Sequence, residues 1–115
     1  GSPKREFLHV KDMAEACIYL MNISKKKFYN SKKSNTEHVN IGSGTEITIY
    51  DLAKLISKTI GYRGKIVFEK SKPNGTIRKL LDSSKLKKLG WKAKIKLQQG
   101  IKESYLHYIK MNDEY

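Results

Sequence analysis

A short segment in the second half of the chain combines turn-forming residues with cationic side chains. Residues 71–79 read SKPNGTIRK, which is a Pro-Asn-Gly turn followed by a threonine hydroxyl and then Arg78 and Lys79. Because proline fixes φ and Asn-Gly tolerates a positive φ, the turn restricts where its backbone N–H groups point. Fixed N–H donors, a hydroxyl and point charges together suit a diphosphate. The segment is therefore a candidate anion site, with an exposed basic hairpin that binds nothing as the alternative.

The geometry of a β-strand limits how these two cations act together. Consecutive residues of a regular strand face opposite sides of the sheet, so Lys79 shares a face with Ile77 whereas Arg78 takes the other face. Residues 3–7 (PKREF) also place cations beside a proline. These two stretches are the places where the sequence combines charge with a restricted backbone.

Other motifs imitate cofactor or catalytic sites without completing them. Residues 41–44 (IGSG) resemble the start of a dinucleotide-binding loop, but Ile47 stands where the third glycine is needed. Tyr29 and Lys33 have the spacing of a dehydrogenase acid–base pair but lie in a Ser/Asn/Lys-rich stretch without helical periodicity. The three histidines and Cys17 do not have metal-ligand spacing, and we interpret Cys17 as an inert buried thiol. We expect no catalytic set and no metal site in this chain.

The composition indicates one polar, basic domain. The chain has 115 residues, with 24 Lys+Arg against 11 Asp+Glu and a formal charge of +13. Only three of the cations are arginines, which argues against nucleic-acid readout, although a free-standing basic nucleic-acid-binding module is the alternative from a different function class. No apolar run is long enough for a membrane span or a signal peptide, and a single cysteine excludes an internal disulfide. We expect a cytoplasmic protein with no membrane partner.

The first third of the chain predicts one helix followed by a loop. Asp12 is a candidate cap for this helix, which should end near Ile23. Its apolar face, at helical spacing, consists of Met13, Cys17, Leu20 and Met21, to which Ala14 and Ala16 contribute. Residues 24–36 are polar, basic and rich in Asn and Ser, so we expect a basic loop insert there.

Three further helices follow from capping signals. Thr48, with an acidic residue three positions later, predicts a helix that ends at Gly61. Asp82 or Ser83 is expected to cap a short helix that Gly90 ends. The last helix is predicted to begin near Leu97 and to bury a face that consists of Ile101, Tyr105, Tyr108 and Ile109.

The remaining patterns predict short extended segments. Residues 38–41 and 65–68 read as strands, and residues 78–81 as an extended run. Trp91 directly follows a helix-ending glycine and is expected to fill the core. The predicted fold is a small mixed α/β domain over residues 1–115, with about four helices and two or three short strands.

Several stretches resemble the extended short-chain dehydrogenase/reductases. Residues 5–14 (REFLHVKDMA) are similar to the run that opens the C-terminal lobe of those enzymes, and residues 38–44 (HVNIGSG) and 89–91 (LGW) fit the same superfamily. Residues 71–82 (SKPNGTIRKLLD) resemble the S-K-P-D-G-T-P-R-K-L-L-D signature of the GDP-L-fucose synthase family at ten of twelve positions. The resemblance covers nearly all of the chain except the basic insert.

This resemblance implies a substrate-binding C-terminal lobe without its Rossmann half. The family converts GDP-4-keto-6-deoxy-mannose to GDP-L-fucose by 3,5-epimerisation and NADPH-dependent 4-reduction. By resemblance, Arg5 and Lys79 contact the GDP-sugar, chiefly its diphosphate, and Asn74 occupies the position of an Asp that lies at the substrate. With Arg78 from the turn, these are the candidate substrate-binding residues.

The resemblance also implies what the chain lacks. In the family, the cofactor loop and the catalytic Ser, Tyr and Lys precede the position of Arg5. The fragment would therefore be inactive alone, and NADPH would bind to the missing N-terminal Rossmann domain of a parent enzyme that we expect to be a homodimer. The face that packs against that domain would stay apolar and exposed, so weak self-association is expected.

Three departures from the family pattern bear on specificity. Asn74 replaces an Asp, Ile77 replaces a Pro, and Lys11 replaces the first Asp of a V-D-D run. The first leaves the sugar open, so a reductase or epimerase of another GDP-deoxysugar or a GDP-heptose is the alternative within the same class. We interpret the other two as structural.

Overall fold

The computed structural model describes residues 1–29 and 38–113. Within them, five helices and a three-stranded sheet form a mixed α/β unit, which confirms the predicted fold class with one helix more than expected. The strands and helices in chain order are β1 (Lys4–Glu6), α1 (Val10–Asn22), α2 (Lys25–Tyr29), β2 (Glu46–Thr48), α3 (Ile49–Ile60), β3 (Arg78–Lys79), α4 (Ser84–Leu89) and α5 (Leu97–Asp113). None of the described helices is long and apolar enough to cross a membrane.

The central strand of the sheet is β1, which has only three residues. It pairs antiparallel with β2 and parallel with β3, so the strand order is β2-β1-β3. A further hydrogen bond, from the backbone N–H of Lys4 to the carbonyl of Ile77 (2.8 Å), extends the contact with the segment that precedes β3. The two outer strands, which are far apart in sequence, are therefore held in register by β1.

Helix α3 begins and ends where its capping residues predict. The Thr48 hydroxyl accepts the backbone N–H of Asp51 (3.0 Å) and donates to the Asp51 carboxylate (2.6 Å). Gly61 closes the helix in the left-handed region at φ 74°, which a glycine adopts without steric cost. The helix packs against α5.

Helix α1 is capped by a different residue from the one predicted. The Nδ1 atom of His9 accepts the backbone N–H of Lys11, so the helix starts at Val10 and Asp12 lies inside its first turn. Asp12 is buried, and its Oδ2 atom accepts the backbone N–H groups of Lys94 (3.1 Å) and Ile95 (2.9 Å). The carboxylate therefore connects α1 to the segment before α5 instead of capping its own helix.

The core lies between α1, α4 and the segment after α4. Ala16, Leu86 and Trp91 form its buried cluster, and the Tyr19 hydroxyl donates to the carbonyl of Leu89 (2.7 Å). Trp91 thus fills the core as predicted, and Gly90 ends α4 at φ 102°. Because Ala16 faces this cluster, the other side of α1 points away from it.

Several predicted features are wrong. Met13, Cys17 and Met21 are exposed, because α1 buries only the Ala16 and Leu20 side of the predicted apolar face. Tyr108 on α5 is exposed as well. Cys17 is therefore not a buried thiol.

Two predicted strands and part of the predicted loop also differ. Residues 38–41 and 65–68 form no strand, because neither segment pairs with a neighbouring backbone as a strand must. The predicted loop 24–36 contains α2, whose first turn is supported by the Ser24 hydroxyl accepting the backbone N–H of Lys27 (3.2 Å). The prediction for residues 30–36 falls outside the described residues.

The chain exposes more surface than a self-contained domain of its mass. Its accessible surface is 9321 Å², whereas a folded monomer of this mass exposes about 6,500 Å². The radius of gyration is 17.7 Å, against about 13 Å for a compact domain of this length. The chain is therefore less compact than a typical folded monomer of its mass.

The buried carboxylate of Asp12 provides a test of this packing. Asp12→Ala removes the acceptor of two backbone N–H groups, and an unsatisfied group of this kind costs about 1–3 kcal/mol. We expect the free energy of unfolding to fall by about 3 kcal/mol, measured by urea unfolding with circular dichroism. Glu15→Gln is the control on the same helix, because it removes only an exposed ion pair with Lys94 and should cost about 0.5 kcal/mol or less. Equal losses in the two variants would contradict the role of Asp12.

Candidate functional site

Arg5 and Lys79 lie side by side on one face of the sheet. They are partners in the parallel register between β1 and β3, and partner residues of neighbouring strands point to the same side. Arg5 is half-buried and donates from Nη1 to the carbonyl of Lys4 (2.7 Å), while Lys79 is exposed. Within the described residues, neither forms an ion pair with a carboxylate. Two adjacent cations without a counter-charge favour the binding of an anion.

Arg78 lies on the opposite face of the sheet and is already engaged. Its Nε atom donates to Oε2 of Glu46 (2.6 Å), and Lys4 also contacts Glu46 (3.4 Å). The hydrogen bond from Arg78 lowers the pKa of the Glu46 carboxyl; the charges of Arg78 and Lys4 lower it further, whereas desolvation opposes the shift. Of the candidate site residues, Arg5 and Lys79 thus lie on one face of the sheet, whereas Arg78 lies on the other face and pairs with Glu46.

Glu6 is an organising residue that the sequence analysis did not single out. Its carboxylate accepts the backbone N–H groups of Gly44 (2.6 Å) and Leu81 (3.0 Å) and the hydroxyl of Ser43 (3.3 Å). A Cβ atom on Gly42 would lie 2.7 Å from the same carboxylate, so a larger residue there would displace the Glu6 side chain. The hydrogen bonds of Glu6 hold residues 43–44 against β1. Only the long-range contacts reveal this role, because the partners lie 38 and 75 positions from Glu6.

The turn that carries Asn74 is exposed along its whole length. Gly75 has a φ of 67°, as expected for an Asn-Gly turn, and the Ser71 hydroxyl donates to Glu69 (2.7 Å) at the start of the segment. This hydrogen bond from Ser71 lowers the pKa of the Glu69 carboxyl. The polar groups of the turn are thus accessible from solvent, and the turn leads directly into β3.

The side chain of Asp82 anchors the segment after β3. Its Oδ1 atom accepts the backbone N–H of Ser84 (2.9 Å), which lowers the pKa of the Asp82 carboxyl, whereas Ser83 occupies the cap position without a capping hydrogen bond. Asp82 is therefore the residue that caps α4. A polar cavity of about 510 Å³ lies between this cap, Arg78 and Lys87.

A second cavity is lined in part by the residues that follow β1. This apolar groove of about 410 Å³ runs beside Phe7 and His9, between α3 and α5. Arg5 and Lys79 line neither of the two cavities. The face that carries Arg5 and Lys79 is accordingly an open surface.

The short mixed sheet places the two cations Arg5 and Lys79 next to each other on one open face. A family model described as GDP-mannose 4,6 dehydratase matches residues 1–104. The chain belongs to this family.

Individual relatives narrow the comparison. The chain is 50% identical over 109 residues to a protein named probable GDP-L-fucose synthase 1 from Oryza sativa subsp. japonica; this match covers 95% of the chain and 30% of the relative. A GDP-6-OMe-4-keto-L-xylo-heptose reductase from C. jejuni has a similar structure, with a TM-score of 0.84 and 39% identity over 96% of the chain and 32% of that protein. A GDP-D-glycero-L-gluco-heptose synthase from Campylobacter jejuni, determined in the presence of NADPH, gives a TM-score of 0.81 at 39% identity over 95% of the chain and 31% of that protein. The chain thus spans about a third of the length of these relatives.

The ion pairs of Glu46 generate a prediction about pH. Because the pKa of this carboxyl is lower in the folded state, its contribution to stability is present above its unfolded pKa and is lost as pH falls through the folded value. Glu46→Gln should therefore be less stable than the unchanged protein near neutral pH, and the difference should shrink as the pH falls from about 6 to about 3. Urea unfolding at several pH values measures this difference.

The matched control for this pH series is Glu15→Gln, which removes a carboxylate from α1 and leaves the sheet unchanged. A stability difference for Glu46→Gln that stays constant across the pH range would contradict the ion-pair cluster.

Proposed function

We propose that this chain is the substrate-binding lobe of a GDP-sugar epimerase/reductase that acts on GDP-4-keto-6-deoxy-mannose. The observation that carries the proposal is the placement of Arg5 and Lys79 as register partners on one open face of the sheet. The relative from Oryza sativa named probable GDP-L-fucose synthase 1 supports the substrate class. Alone, the chain binds the substrate and transfers no hydride.

The two cations have complementary roles toward a diphosphate. Neighbouring strands lie about 4.8 Å apart, so their side chains reach adjacent anionic groups of one ligand. Arg5 offers a planar fork of donors, whereas Lys79 offers a mobile point charge. Arg78 holds β3 in place through Glu46, and so fixes Lys79 from the opposite face.

Asn74 is proposed to contact the sugar end of the substrate. It lies in the exposed turn five residues before Lys79, and its amide both donates and accepts hydrogen bonds. The diphosphate end and the sugar end of one ligand would then be read by a single continuous segment.

The remaining functions of the enzyme are proposed to lie outside this chain. The chain spans about 30% of the length of its curated relatives. The heptose synthase determined in the presence of NADPH supports NADPH as the reductant. We assign the nicotinamide cofactor and the proton-transferring residues to an N-terminal Rossmann domain.

A GDP-heptose is a second candidate for the substrate. Two observations favour it: the similarity to heptose-modifying enzymes at 39% identity, and the neutral amide of Asn74 at a position where the resemblance indicates a carboxylate.

If the sugar is a heptose, Asn74→Asp should weaken binding of GDP-heptoses and leave the affinity for GDP unchanged, as measured by calorimetric titration. Equal losses for GDP and for the GDP-heptose would contradict a contact of Asn74 with the sugar.

The diphosphate site can be tested by NMR titration of the ¹⁵N-labelled chain with GDP, GDP-mannose and a short DNA duplex, each at low and moderate salt. Chemical-shift changes should concentrate at Arg5 and residues 71–79 and should be larger with the GDP ligands than with DNA.

Lys79→Ala should weaken GDP binding by about tenfold, which corresponds to 1.4 kcal/mol and is typical of one charge-assisted contact.

Lys110→Ala is the control for this titration, because it removes the same charge from an exposed position on α5, outside residues 71–79. It should change the affinity about twofold or less, as expected for a distant surface charge. Broad changes over the lysine-rich surface with DNA, and none with the GDP ligands, would instead support the nucleic-acid-binding module.

A further inference from the structure

The polar cavity of about 510 Å³ lies beside the segment that joins β3 to α4, and the proposed function does not use it. Arg78 lines it from the sheet, and Lys87 lines it from α4. Because Arg78 points to the sheet face opposite to Lys79, the cavity is separate from the open face with the proposed diphosphate contacts. We call it the Ser83 cavity, after the buried serine in its wall.

Ser83 places a hydroxyl in the wall of this cavity. The residue is only 4% exposed, and its side chain makes no capping hydrogen bond and no other hydrogen bond with a described residue. Its Oγ atom lies 3.9 Å from the point that a Cβ atom on Gly44 would occupy, and the Lys87 ammonium lies 2.9 Å from the same point. Because polar groups in buried positions normally have partners, the convergence of this hydroxyl and this ammonium indicates a polar ligand.

Both cations of the cavity have unused donors. The Arg78 guanidinium uses Nε for Glu46, and its Nη atoms donate to none of the described residues. The Lys87 ammonium likewise forms no ion pair or side-chain hydrogen bond within the described part of the chain. A planar fork of donors, an ammonium and a hydroxyl together suit the three terminal oxygens of a phosphate monoester.

The walls of the Ser83 cavity are held in place by hydrogen bonds of the fold itself. The Glu6 carboxylate accepts the backbone N–H groups of Gly44 (2.6 Å) and Leu81 (3.0 Å), which both line the cavity. The Asn40 amide donates to the carbonyl of Asp82 (3.2 Å), which is a further lining residue. Walls that are already ordered reduce the conformational entropy that ligand binding would otherwise cost.

We propose that the Ser83 cavity binds a sugar phosphate. The phosphate accepts hydrogen bonds from Arg78, Lys87 and the Ser83 hydroxyl, and a sugar hydroxyl donates to Asp82. Ser84 donates to the Asp82 carboxylate from its backbone N–H (2.9 Å) and its hydroxyl, and a carboxylate with about four acceptor sites still accepts a ligand hydroxyl. This site is independent of the proposed GDP-sugar site.

Size and lining favour a sugar phosphate over a bare ion or a nucleotide. The volume lies within the range of about 300–1,000 Å³ that is typical of sites for small organic molecules. None of the described lining residues is aromatic, so a nucleobase would have no ring on which to stack. Two cations against the single carboxylate of Asp82 leave the lining positive, which suits a ligand with one phosphate.

The test is a titration of the 115-residue chain with glucose 6-phosphate, followed by calorimetry and by ¹⁵N NMR. We expect chemical-shift changes to concentrate at Gly44, Ser83 and Lys87. These changes should persist in excess GDP, because Arg78 and Lys79 face opposite sides of the sheet. Inorganic phosphate should bind about tenfold more weakly, because it lacks the sugar hydroxyl that donates to Asp82.

Variants test the individual contacts. Lys87→Ala should weaken binding of glucose 6-phosphate by about tenfold, as expected for one charge-assisted contact. Ser83→Ala should weaken it by about threefold and leave the melting temperature nearly unchanged, because the hydroxyl has no hydrogen bond to lose within the described fold. The matched control is Lys88→Ala, which removes the same charge from the next position of α4, outside the cavity lining, and should change the affinity about twofold or less.

Each outcome decides the inference. Equal losses for Lys87→Ala and Lys88→Ala would assign binding to general surface charge and overturn it. Equal affinities for glucose 6-phosphate and inorganic phosphate would reduce the cavity to a site for an ion alone, and absence of binding at millimolar concentrations would remove the site. Displacement of glucose 6-phosphate by GDP would place it on the open face instead. Failure of the proposed function is separate, because GDP would then cause no change at Arg5 while glucose 6-phosphate still shifts Ser83.

Discussion

The three residues of β1 are the constraint on which the rest of the structure depends. The strand pairs with β2 on one side and β3 on the other, and its successive side chains point alternately to the two faces of the sheet. Lys4 and Glu6 serve the structure: one joins the Glu46 cluster, and the other holds the 43–44 turn and Leu81. Arg5 points the other way, beside Lys79. A shift of register by one residue would exchange these faces and separate Arg5 from Lys79.

Features that depend on a few neighbouring residues could be predicted from the sequence. The cap of α3 at Thr48, the glycines that end α3 and α4, and the positive φ of Gly75 all follow from local chemistry. The candidate anion segment was found for the same reason, because a turn and two cations are adjacent in the chain. The alternation of Arg78 and Lys79 also followed from strand geometry, although the residues that they face did not.

Features that depend on distant partners could not be predicted in this way. The sequence around Asp12 suggests a helix cap, but its carboxylate accepts the backbone N–H groups of Lys94 and Ile95. These residues lie more than eighty positions away, so no local pattern indicates the contact. Residues 65–68 have strand composition but no backbone partner, so composition alone was misleading. The apolar stripe of α1 was assigned to the core for a related reason: periodicity identifies an apolar face but not the body against which it packs.

The placement of like charges is the physical basis of the proposed anion site on an open face. Most of the 24 basic residues are surface lysines that water and salt screen, and the single carboxylate of Glu46 offsets half of the combined charge of Lys4 and Arg78. Arg5 and Lys79 differ from these because the register of the sheet holds them together, and their mutual repulsion is relieved when an anion lies between them. That relief grows as water is excluded, since the attraction between charges is stronger at lower effective dielectric constant. Under the proposed function, we therefore expect the chain alone to bind a diphosphate weakly, and to gain affinity when the rest of the cleft covers the same face.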